Sequence, residues 1–318
     1  MALSLMISRV AEETDRIRSF QLSPVNGAEL PPFQAGAHIS VHLGNGLVRQ
    51  YSLANDPMVR DHYLVAVLRE PQSRGGSAWI FDNWKPGDRI EVEPPANHFP
   101  LAMGARHYLL IAGGIGITPL LSMAHVLRRE QADFNLFYCT RTSEAAAFRN
   151  LLSDEGFRDR VRWVHDGGDR RRSLDLASLL ARYSPGTQVY VCGPASLIKG
   201  AREAGAHWPE GSIRFEYFEA DHESLGDQND TAFTIRIAST GQELEVPAGR
   251  SALAVLRENG ITVPKLCEEG VCGSCLTGVL EGIPDHRDRV QTEAEHRSNQ
   301  YMALCCSRGK SGCLVLDL

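Results

Sequence analysis

The sequence predicts a multidomain fold: an antiparallel β-barrel, an α/β domain with a parallel sheet, and a small α+β domain. Short strand-like runs separated by turn residues fill the first part of the chain, which is typical of a barrel. Strand and helix patterns then alternate, which indicates a βαβ series. A cysteine-rich loop with few flanking strands marks the last part. We place the domains at 1–103, 104–222 and 231–318, with a solvated acidic linker at 223–230.

The composition is that of a globular protein and excludes several classes of function. The 318 residues are 43% hydrophobic and 23% charged, and the net charge of −6 argues against nucleic acid or an anionic membrane as partner. No apolar run approaches the roughly 20 residues that span a bilayer, and the N-terminus lacks the pattern of a secretory signal. Eight cysteines in a chain of this length do not indicate a disulfide scaffold. We therefore expect a cytoplasmic protein with reduced thiols.

The first domain is predicted to be rich in short strands. These strands are Leu3–Val10, Ile17–Leu22, His38–Leu43, Leu47–Leu53, Tyr63–Arg69 and Arg89–Glu93. A short helix is predicted from Gly75-Gly76-Ser77 to Trp84, and its free N-terminal amides suit a phosphate group.

The stretch Arg49-Gln50-Tyr51-Ser52-Leu53 has the residue types of a flavin site. Arg49 supplies a permanent charge and a fork of donors for phosphate. Tyr51 offers a flat face for an isoalloxazine ring, and Ser52 offers a hydroxyl for a ring nitrogen. Alone, such a match is more typical of an edge strand with an alternating tyrosine. Followed by Gly75-Gly76-Ser77 and a nucleotide-type domain, it predicts a flavin site.

The second domain is predicted to be a parallel sheet with helices on both faces. Its alternating elements are His107–Ala112, Pro119–Glu130, Phe134–Thr140, Ser143–Ser153, Val161–His165, Leu174–Tyr183, Gln188–Cys192, Pro194–His207 and Ile213–Tyr217.

The first turn of this domain predicts a dinucleotide site. Gly113, Gly114 and Gly116 allow a dinucleotide backbone to approach the N-terminus of the next helix. Thr118 suits the N-cap of that helix and Pro119 its first position. The glycines are not in the register of the standard G-x-G-x-x-G motif, so their position after the first strand carries the prediction.

A second segment of this domain is a candidate for nucleotide binding. Cys192-Gly193-Pro194 follows a predicted strand, and open α/β sheets bind ligands at the carboxyl ends of their strands. The alternative is that Cys192 is a small buried core residue, which free cysteines often are.

The third domain is organised around Cys267, Cys272, Cys275 and Cys305. C-x4-C-x2-C followed by a distant cysteine is the plant-type ligand spacing for a [2Fe–2S] cluster. Gly270 and Gly273 permit the tight loop that such a cluster needs. The alternatives are a zinc site, which favours paired C-x2-C spacings, or buried free thiols.

The elements around this loop predict a small α+β sheet. They are Phe233–Ile237, Glu243–Val246, a helix from the Ser251 cap to Glu258, Leu276–Leu280, Tyr301–Cys305 and Cys313–Leu318. Neighbours on an extended chain point in opposite directions, so one of Cys305 and Cys306 is expected to face the cluster. Cys313 is expected in the core.

Taken together, these motifs resemble the phthalate dioxygenase reductase family over essentially the whole chain. The resemblance rests on Arg49-Gln-Tyr51-Ser52-Leu53, Arg74-Gly75-Gly76-Ser77, Gly113-Gly-Ile-Gly-Ile-Thr-Pro119, Cys192-Gly193-Pro194, Phe215-Glu-Tyr-Phe218, the four cysteines, Cys305-Cys-Ser-Arg308 and Leu314-Val-Leu-Asp-Leu318. It implies a flavin barrel, a pyridine-nucleotide domain and a plant-type ferredoxin domain of the β-grasp fold.

The resemblance also implies cofactors and site residues. It implies FMN rather than FAD, NADH as donor, and Cys305 as the fourth cluster ligand, although the doubled Cys306 departs from the pattern. Phe218 is expected over the flavin ring, and Thr118 against the flavin or nicotinamide. The residues expected around FMN are Arg49, Tyr51, Ser52, Val67, Leu68, Arg74, Gly75, Gly76 and Ser77.

The function implied is an oxygenase-coupled reductase. It accepts hydride from NADH on FMN and passes single electrons through the cluster to a terminal Rieske-type oxygenase. Ser52 is expected near flavin N5, with Thr118 and Cys192 holding the nicotinamide. Alternative acceptors are a cytochrome P450 or a separate ferredoxin, and a redox sensor is a further alternative. Arg141 leaves NADPH open as donor, and we expect a monomer.

Overall fold

The computed structural model describes residues 2–71, 75–218, 230–265, 267–268 and 270–318. The chain divides into two compact units, Met1–Glu216 and Tyr217–Leu318. No helix among the described residues is long and apolar enough to cross a membrane. The linker expected at 223–230 lies outside the described residues except for Asp230.

The first part of the first unit is an antiparallel sheet of six strands in the order β4-β3-β6-β1-β2-β5. Its strands are β1 Leu3–Glu12, β2 Ile17–Pro24, β3 His38–His42, β4 Val48–Ser52, β5 Tyr63–Leu68 and β6 Arg89–Val92, and helix α1 is Gly76–Asn83. The two edge strands, β4 and β5, lie next to each other, so the sheet curls into a barrel. The six predicted strands are confirmed, with small shifts at their ends.

The second part is a parallel sheet in the order β11-β10-β7-β8-β9. Its strands are β7 His107–Gly113, β8 Phe134–Thr140, β9 Val161–His165, β10 Thr187–Cys192 and β11 Ile213–Glu216. Its helices are α2 Ile117–Arg129, α3 Arg149–Leu152, α4 Leu176–Leu179 and α5 Ala195–Ala204, with 3-10 turns at Gly114–Gly116, Ser143–Ala145 and Arg170–Arg172. The predicted α/β architecture is confirmed.

Two predicted helices of this sheet are wrong in length. The helix expected over Ser143–Ser153 is interrupted at Phe148, which has a φ of 56° and donates its N–H to Glu13 Oε2 at 3.0 Å. The helix expected over Leu174–Tyr183 ends at Leu180, whose carbonyl accepts from Trp208 Nε1 at 2.9 Å. In both cases contacts distant in sequence override the local periodicity.

The barrel and the parallel sheet share buried side chains. Ala54 and Ala66 of the barrel belong to the same hydrophobic cluster as Tyr108 and Leu120 of the α/β domain. The predicted boundary near residue 103 therefore separates two folds that are packed as one unit.

The second unit is a small α+β domain. Its sheet has the order β13-β12-β18-β14-β16, with a separate β15–β17 pair. The elements are β12 Phe233–Ile237, β13 Glu243–Val246, α6 Ala252–Glu258, β14 Leu276–Glu281, β15 Pro284–Asp285, α7 Glu293–Ser298, β16 Tyr301–Ala303, β17 Arg308–Gly309 and β18 Cys313–Leu316. Ser251 caps α6 as expected, since its Oγ accepts from Ala254 N.

Candidate functional site

The parallel sheet has a topological switch point between β7 and β10. The two strands pair in parallel, with Ala112 opposite Cys192, while β8 continues the sheet beside β7 and β11 beside β10. The connections that follow β7 and β10 leave in opposite directions and open a crevice at the carboxyl ends of these two strands. Open α/β sheets bind ligands at such a crevice. The crevice is bounded by the 3-10 turn Gly114–Gly116 and by Cys192-Gly193-Pro194.

The three glycines of the turn have different roles. A Cβ on Gly113 would lie 2.6 Å from Pro194 Cδ, and one on Gly116 would lie 2.7 Å from Gly193 N and also overlap the Cys192 carbonyl. These two glycines allow the turn and the end of β10 to pack backbone to backbone. Gly114 has a φ of 52° and open space where its Cβ would be, so it is the glycine that a nucleotide can approach.

The predicted capping role of Thr118 is wrong. Helix α2 begins at Ile117 with Gly116 as its N-cap, so Thr118 is the second helical residue and Pro119 the third. Thr118 is buried, and its Oγ1 donates to the Ile115 carbonyl at 3.0 Å. The hydroxyl therefore closes the 3-10 turn from within the helix.

Cys192 lies beside an acidic residue that sequence reasoning missed. Cys192 is fully buried and pairs in register with Glu216 on β11. Burial, reinforced by the Glu216 carboxyl, raises the pKa of the Cys192 thiol well above its usual value, so it is a neutral thiol. Burial also raises the pKa of Glu216 from 4.5 to about 8, and Glu216 Oε2 has no hydrogen-bond partner among the described residues. The signal in the sequence that could have pointed to Glu216 is its place at the end of a predicted strand, within Phe215-Glu-Tyr-Phe218.

The residues predicted for flavin come from segments that meet around β5. Strand β4, helix α1 and the Gly114–Gly116 turn each adjoin β5. Arg49 lies across the start of α1, since a Cβ on Gly76 would lie 2.7 Å from Arg49 Nε and 2.9 Å from its Cγ. Gly75 is the N-cap, with a φ of 87° and no side-chain capping bond. A guanidinium beside a helix N-terminus fits the phosphate of FMN.

The remaining predicted flavin residues have varied surroundings. Ser52 is buried at the end of β4, and burial raises the pKa of the Tyr51 phenol. Val67 is buried on β5, and Leu68 packs partly buried against the core shared with the α/β domain. Ser77 Oγ accepts from Glu70 N at 3.1 Å. Arg74 lies outside the described residues, and Phe218, which is 36% exposed, belongs to the second unit.

The four predicted ligand cysteines converge in the second unit. The Cys305 thiol contacts those of Cys267 and Cys275, and the Cys272 thiol contacts that of Cys267. These thiol contacts raise the pKa values of Cys305 and Cys272, whereas the bond from Cys305 lowers the pKa of Cys275. Four convergent sulfurs are the donor set that an iron–sulfur cluster requires.

Cys306 is also buried, and the structure shows how it differs from Cys305. Both lie in the turn after β16, so the argument from an extended chain does not apply to them. Cys306 Sγ presses on the ligand loop, where a Cβ on Gly270 would lie 2.5 Å from it. Gly270 has a φ of 73°, which fits the loop without a side chain. Cys305 contacts the other ligand thiols, whereas the thiol contact found for Cys306 is with Cys305.

Two further expectations about this unit are wrong. Asp230, placed in a solvated linker, has a side chain that is only 9% exposed, and it pairs with Arg287 at 2.8 Å and Arg308 at 3.5 Å. Cys313, placed in the core, is exposed because its side chain lies at the start of the closing strand on the solvent side.

The comparisons with known proteins define the class. The model of the oxidoreductase NAD-binding domain matches residues 110–203, and that of the 2Fe-2S iron-sulfur cluster binding domain matches residues 235–309. The chain is 44% identical over 99% of its length to vanillate O-demethylase oxidoreductase of Pseudomonas sp. (strain HR199 / DSM 7063), covering 100% of that protein. It is 43% identical over 99% of its length to phthalate dioxygenase reductase of Burkholderia cepacia, covering 97% of that protein.

Two solved structures extend this comparison. The structure of phthalate dioxygenase reductase, described as transferring electrons from pyridine nucleotides to [2Fe-2S], matches with a TM-score of 0.75 and 42% identity, over 100% of this chain and 98% of that one. An intact type IV self-sufficient cytochrome P450 monooxygenase matches with a TM-score of 0.89 and 38% identity, over 100% of this chain and 41% of that one.

The fold and the cysteine site thus define an NADH-dependent oxidoreductase with a [2Fe–2S] domain. The chain belongs to the phthalate dioxygenase reductase family. FMN, NADH and the [2Fe–2S] cluster are the cofactors that go with this membership.

Proposed function

We propose that this chain is the reductase component of a Rieske-type oxygenase system and uses NADH as donor. The observation that carries the proposal is the convergence of four cysteine thiols in a chain that also holds a nucleotide crevice. Bound FMN would supply the exchange between a two-electron hydride donor and a cluster that accepts one electron at a time. The overall change is NADH + 2 acceptor(oxidised) → NAD⁺ + H⁺ + 2 acceptor(reduced).

The residues of the chain bind, orient and exclude water. In the proposal, Arg49 and the amides at the start of α1 bind the FMN phosphate, while Tyr51 and Ser52 orient the ring. Open space at Gly114 admits the nucleotide backbone. Thr118 and Cys192 line the end of the crevice where the nicotinamide is oriented. Both are buried, which keeps water from the site of hydride transfer.

Cys267, Cys272, Cys275 and Cys305 are the proposed cluster ligands. Cys305 is favoured over Cys306 because its thiol contacts two other ligand thiols. Gly270 and Gly273, with φ values of 73° and 74°, adopt left-handed backbone conformations in the loop that other residues would oppose.

The acceptor is proposed from the relatives. Vanillate O-demethylase oxidoreductase, phthalate dioxygenase reductase and the carnitine monooxygenase reductase subunit of Escherichia coli (strain K12) are all named for oxygenase systems. The match to part of a self-sufficient cytochrome P450 favours a second candidate, in which a P450 receives the electrons.

The test is electron delivery to each class of acceptor. Holoenzyme reduced anaerobically with NADH is mixed in a stopped-flow instrument with a Rieske oxygenase, a P450 or a free ferredoxin. The proposal predicts fastest reduction of the Rieske centre. Faster reduction of the P450 haem would support the second candidate instead. A holoenzyme that fails to turn over ferricyanide with NADH would contradict both.

We further propose a monomer in the cytoplasm. Among the described residues, no disulfide joins any of the eight cysteines, which suits a reducing compartment. Size-exclusion chromatography with light scattering tests the oligomeric state, and a mass near 70 kDa instead of 35.0 kDa would indicate a dimer.

A further inference from the structure

Three potential metal ligands lie together in the second unit, apart from the cysteines. His286 follows β15, Asp288 lies two residues further, and His296 is on α7. Their ligand atoms all lie within 4.8 Å of one another. The Asp288 side chain is fully buried, that of His286 is 8% exposed and that of His296 is 26% exposed. A buried carboxylate between two imidazoles is a donor set that binds transition metals.

The hydrogen bonds of His286 fix which nitrogen is free. His286 Nε2 lies 3.2 Å from Asn299 Oδ1, and since a carbonyl oxygen only accepts, Nε2 carries the proton. Nδ1 therefore presents a lone pair. It is buried, and within the described part of the chain nothing hydrogen-bonds to it. In metal sites, a histidine ligand is typically oriented by a hydrogen bond that one ring nitrogen donates while the other ring nitrogen binds the metal.

Asp288 is held so that its carboxylate faces both imidazoles. Its Oδ2 accepts from Gln291 N at 2.9 Å, and its Oδ1 accepts from Gln291 Nε2 at 3.1 Å. Oδ1 accepts from His296 Nε2 at 3.2 Å, through a proton that a bound metal ion would replace, and it lies 4.0 Å from His286 Nδ1. Tetrahedral zinc with bonds of about 2.1 Å separates its ligands by about 3.4 Å, close to the 3.2 Å between Asp288 Oδ1 and His296 Nε2.

The two imidazoles stack, with ring centroids 4.5 Å apart at 17°. Because the lone pair of an imidazole nitrogen lies in the plane of its ring, one ring must turn about its side-chain torsions for both nitrogens to face one ion. The side chain of His296 is the more exposed of the two and has room to turn.

We propose that His286 Nδ1, Asp288 and His296 Nε2 form a binding site for a divalent transition-metal ion, with Zn²⁺ as the best match. Two imidazoles, one carboxylate and a water give zinc its usual four ligands. The partial exposure of His296 provides the entry path and the water position. The site is independent of the donor and acceptor proposed above, because it uses none of the cysteines or nucleotide residues.

The site adjoins the loop that carries the ligand cysteines. Arg289 N donates to the Gly270 carbonyl at 2.8 Å, and a Cβ on Gly270 would lie 3.2 Å from Asp288 Cα. A metal bound to Asp288 is therefore held on the segment that packs against the cysteine loop.

The test is zinc binding to the holoenzyme with FMN and the cluster in place. Equilibrium dialysis against Zn²⁺ followed by metal analysis is expected to give one bound zinc per chain, with iron and FMN contents unchanged. Asn299→Gly removes the hydrogen bond that His286 Nε2 donates to Asn299 Oδ1. Glycine tolerates the φ of 53° at this position. We expect it to weaken zinc binding by about 10- to 100-fold.

Variants of the ligands and a matched control complete the design. His286→Gln and His296→Gln are each expected to weaken binding at least as much as Asn299→Gly. His62→Gln is the control, since His62 pairs with Asp61 at 2.5 Å in the barrel, and it should leave zinc binding unchanged. The visible spectrum of the cluster shows that each variant is folded. Wild-type holoenzyme that takes up no zinc, zinc retained by a variant that carries both His286→Gln and His296→Gln, or iron released as zinc binds would each overturn the proposal.

Discussion

The cysteine loop and the nucleotide crevice are assembled in different ways. Cys267, Cys272 and Cys275 lie within one loop, and their thiols meet each other and that of Cys305 directly. The crevice and the proposed flavin site combine the ends of β4, β5, β7 and β10 with the starts of α1 and α2. The spacing of cysteines along the chain is enough to predict a site that lies mostly in one loop. A site built from several elements depends on strand register and close packing, which the sequence does not show directly.

The largest expected effect separates the two adjacent cysteines. Cys305→Ser should abolish assembly of a stable [2Fe–2S] cluster, since a ligand thiolate is lost. Cys306→Ser, its matched control, should retain the cluster, because the Cys306 thiol lies against the Gly270 backbone. Iron content and the electron paramagnetic resonance signal of the reduced protein are the measurements. Cluster loss in Cys306→Ser with retention in Cys305→Ser would reverse the ligand assignment.

A second pair of variants tests the packing of the crevice. Gly116→Ala places a Cβ against the Cys192 and Gly193 backbone, and we expect it to lower the free energy of unfolding of the first unit by about 3 kcal/mol. Gly114→Ala meets open space, so only its left-handed backbone opposes it, at about 1 kcal/mol. Chemical denaturation of the holoproteins compares them. Equal losses of stability would show that the turn does not pack on β10 in this way.

A smaller effect is expected from Glu216, and it depends on pH. Because the pKa of Glu216 is raised from 4.5 to about 8 by burial, the folded state binds its proton more tightly than the unfolded state. The wild type therefore loses stability as pH rises from about 4.5 to about 8. Glu216→Gln does not titrate, and we expect its stability to match that of the wild type near pH 4.5 and to exceed it increasingly as the pH rises to about 8. Thermal midpoints measured across this range provide the check, and a difference that is constant with pH would contradict it.

Much of the fold could be predicted because its signals are local. Alternating strands in the barrel and the βαβ series are properties of short segments, and the structure confirms both. The α3 region could not be predicted, because a hydrogen bond from Phe148 N to the side chain of Glu13, the residue after β1, interrupts the helix. The position of Thr118 depends on the helix beginning at Ile117, directly after the 3-10 turn, which the glycine pattern does not reveal.

The candidate sites follow the same division. Cysteine spacing predicted a group of thiols that meet in space. Glu216 lies within the aromatic stretch Phe215–Phe218, and the sequence does not show that it pairs in register with Cys192. His286, Asp288 and His296 gave no recognisable spacing, because the chain brings them together only through the β15–α7 segment. The burial of Asp230 depends on two arginines, Arg287 and Arg308, that lie far along the chain.

The central claim is that electrons enter at the flavin and nucleotide site and leave through the cysteine loop. Cys272→Ser tests it most directly, with anaerobic stopped-flow measurement of flavin reduction by NADH alongside steady-state reduction of cytochrome c. We predict that cytochrome c reduction through the cluster is abolished while flavin reduction stays close to the wild-type rate, because Cys272 belongs to the second unit. Equal loss of both activities in a folded variant that retains FMN would contradict the claim.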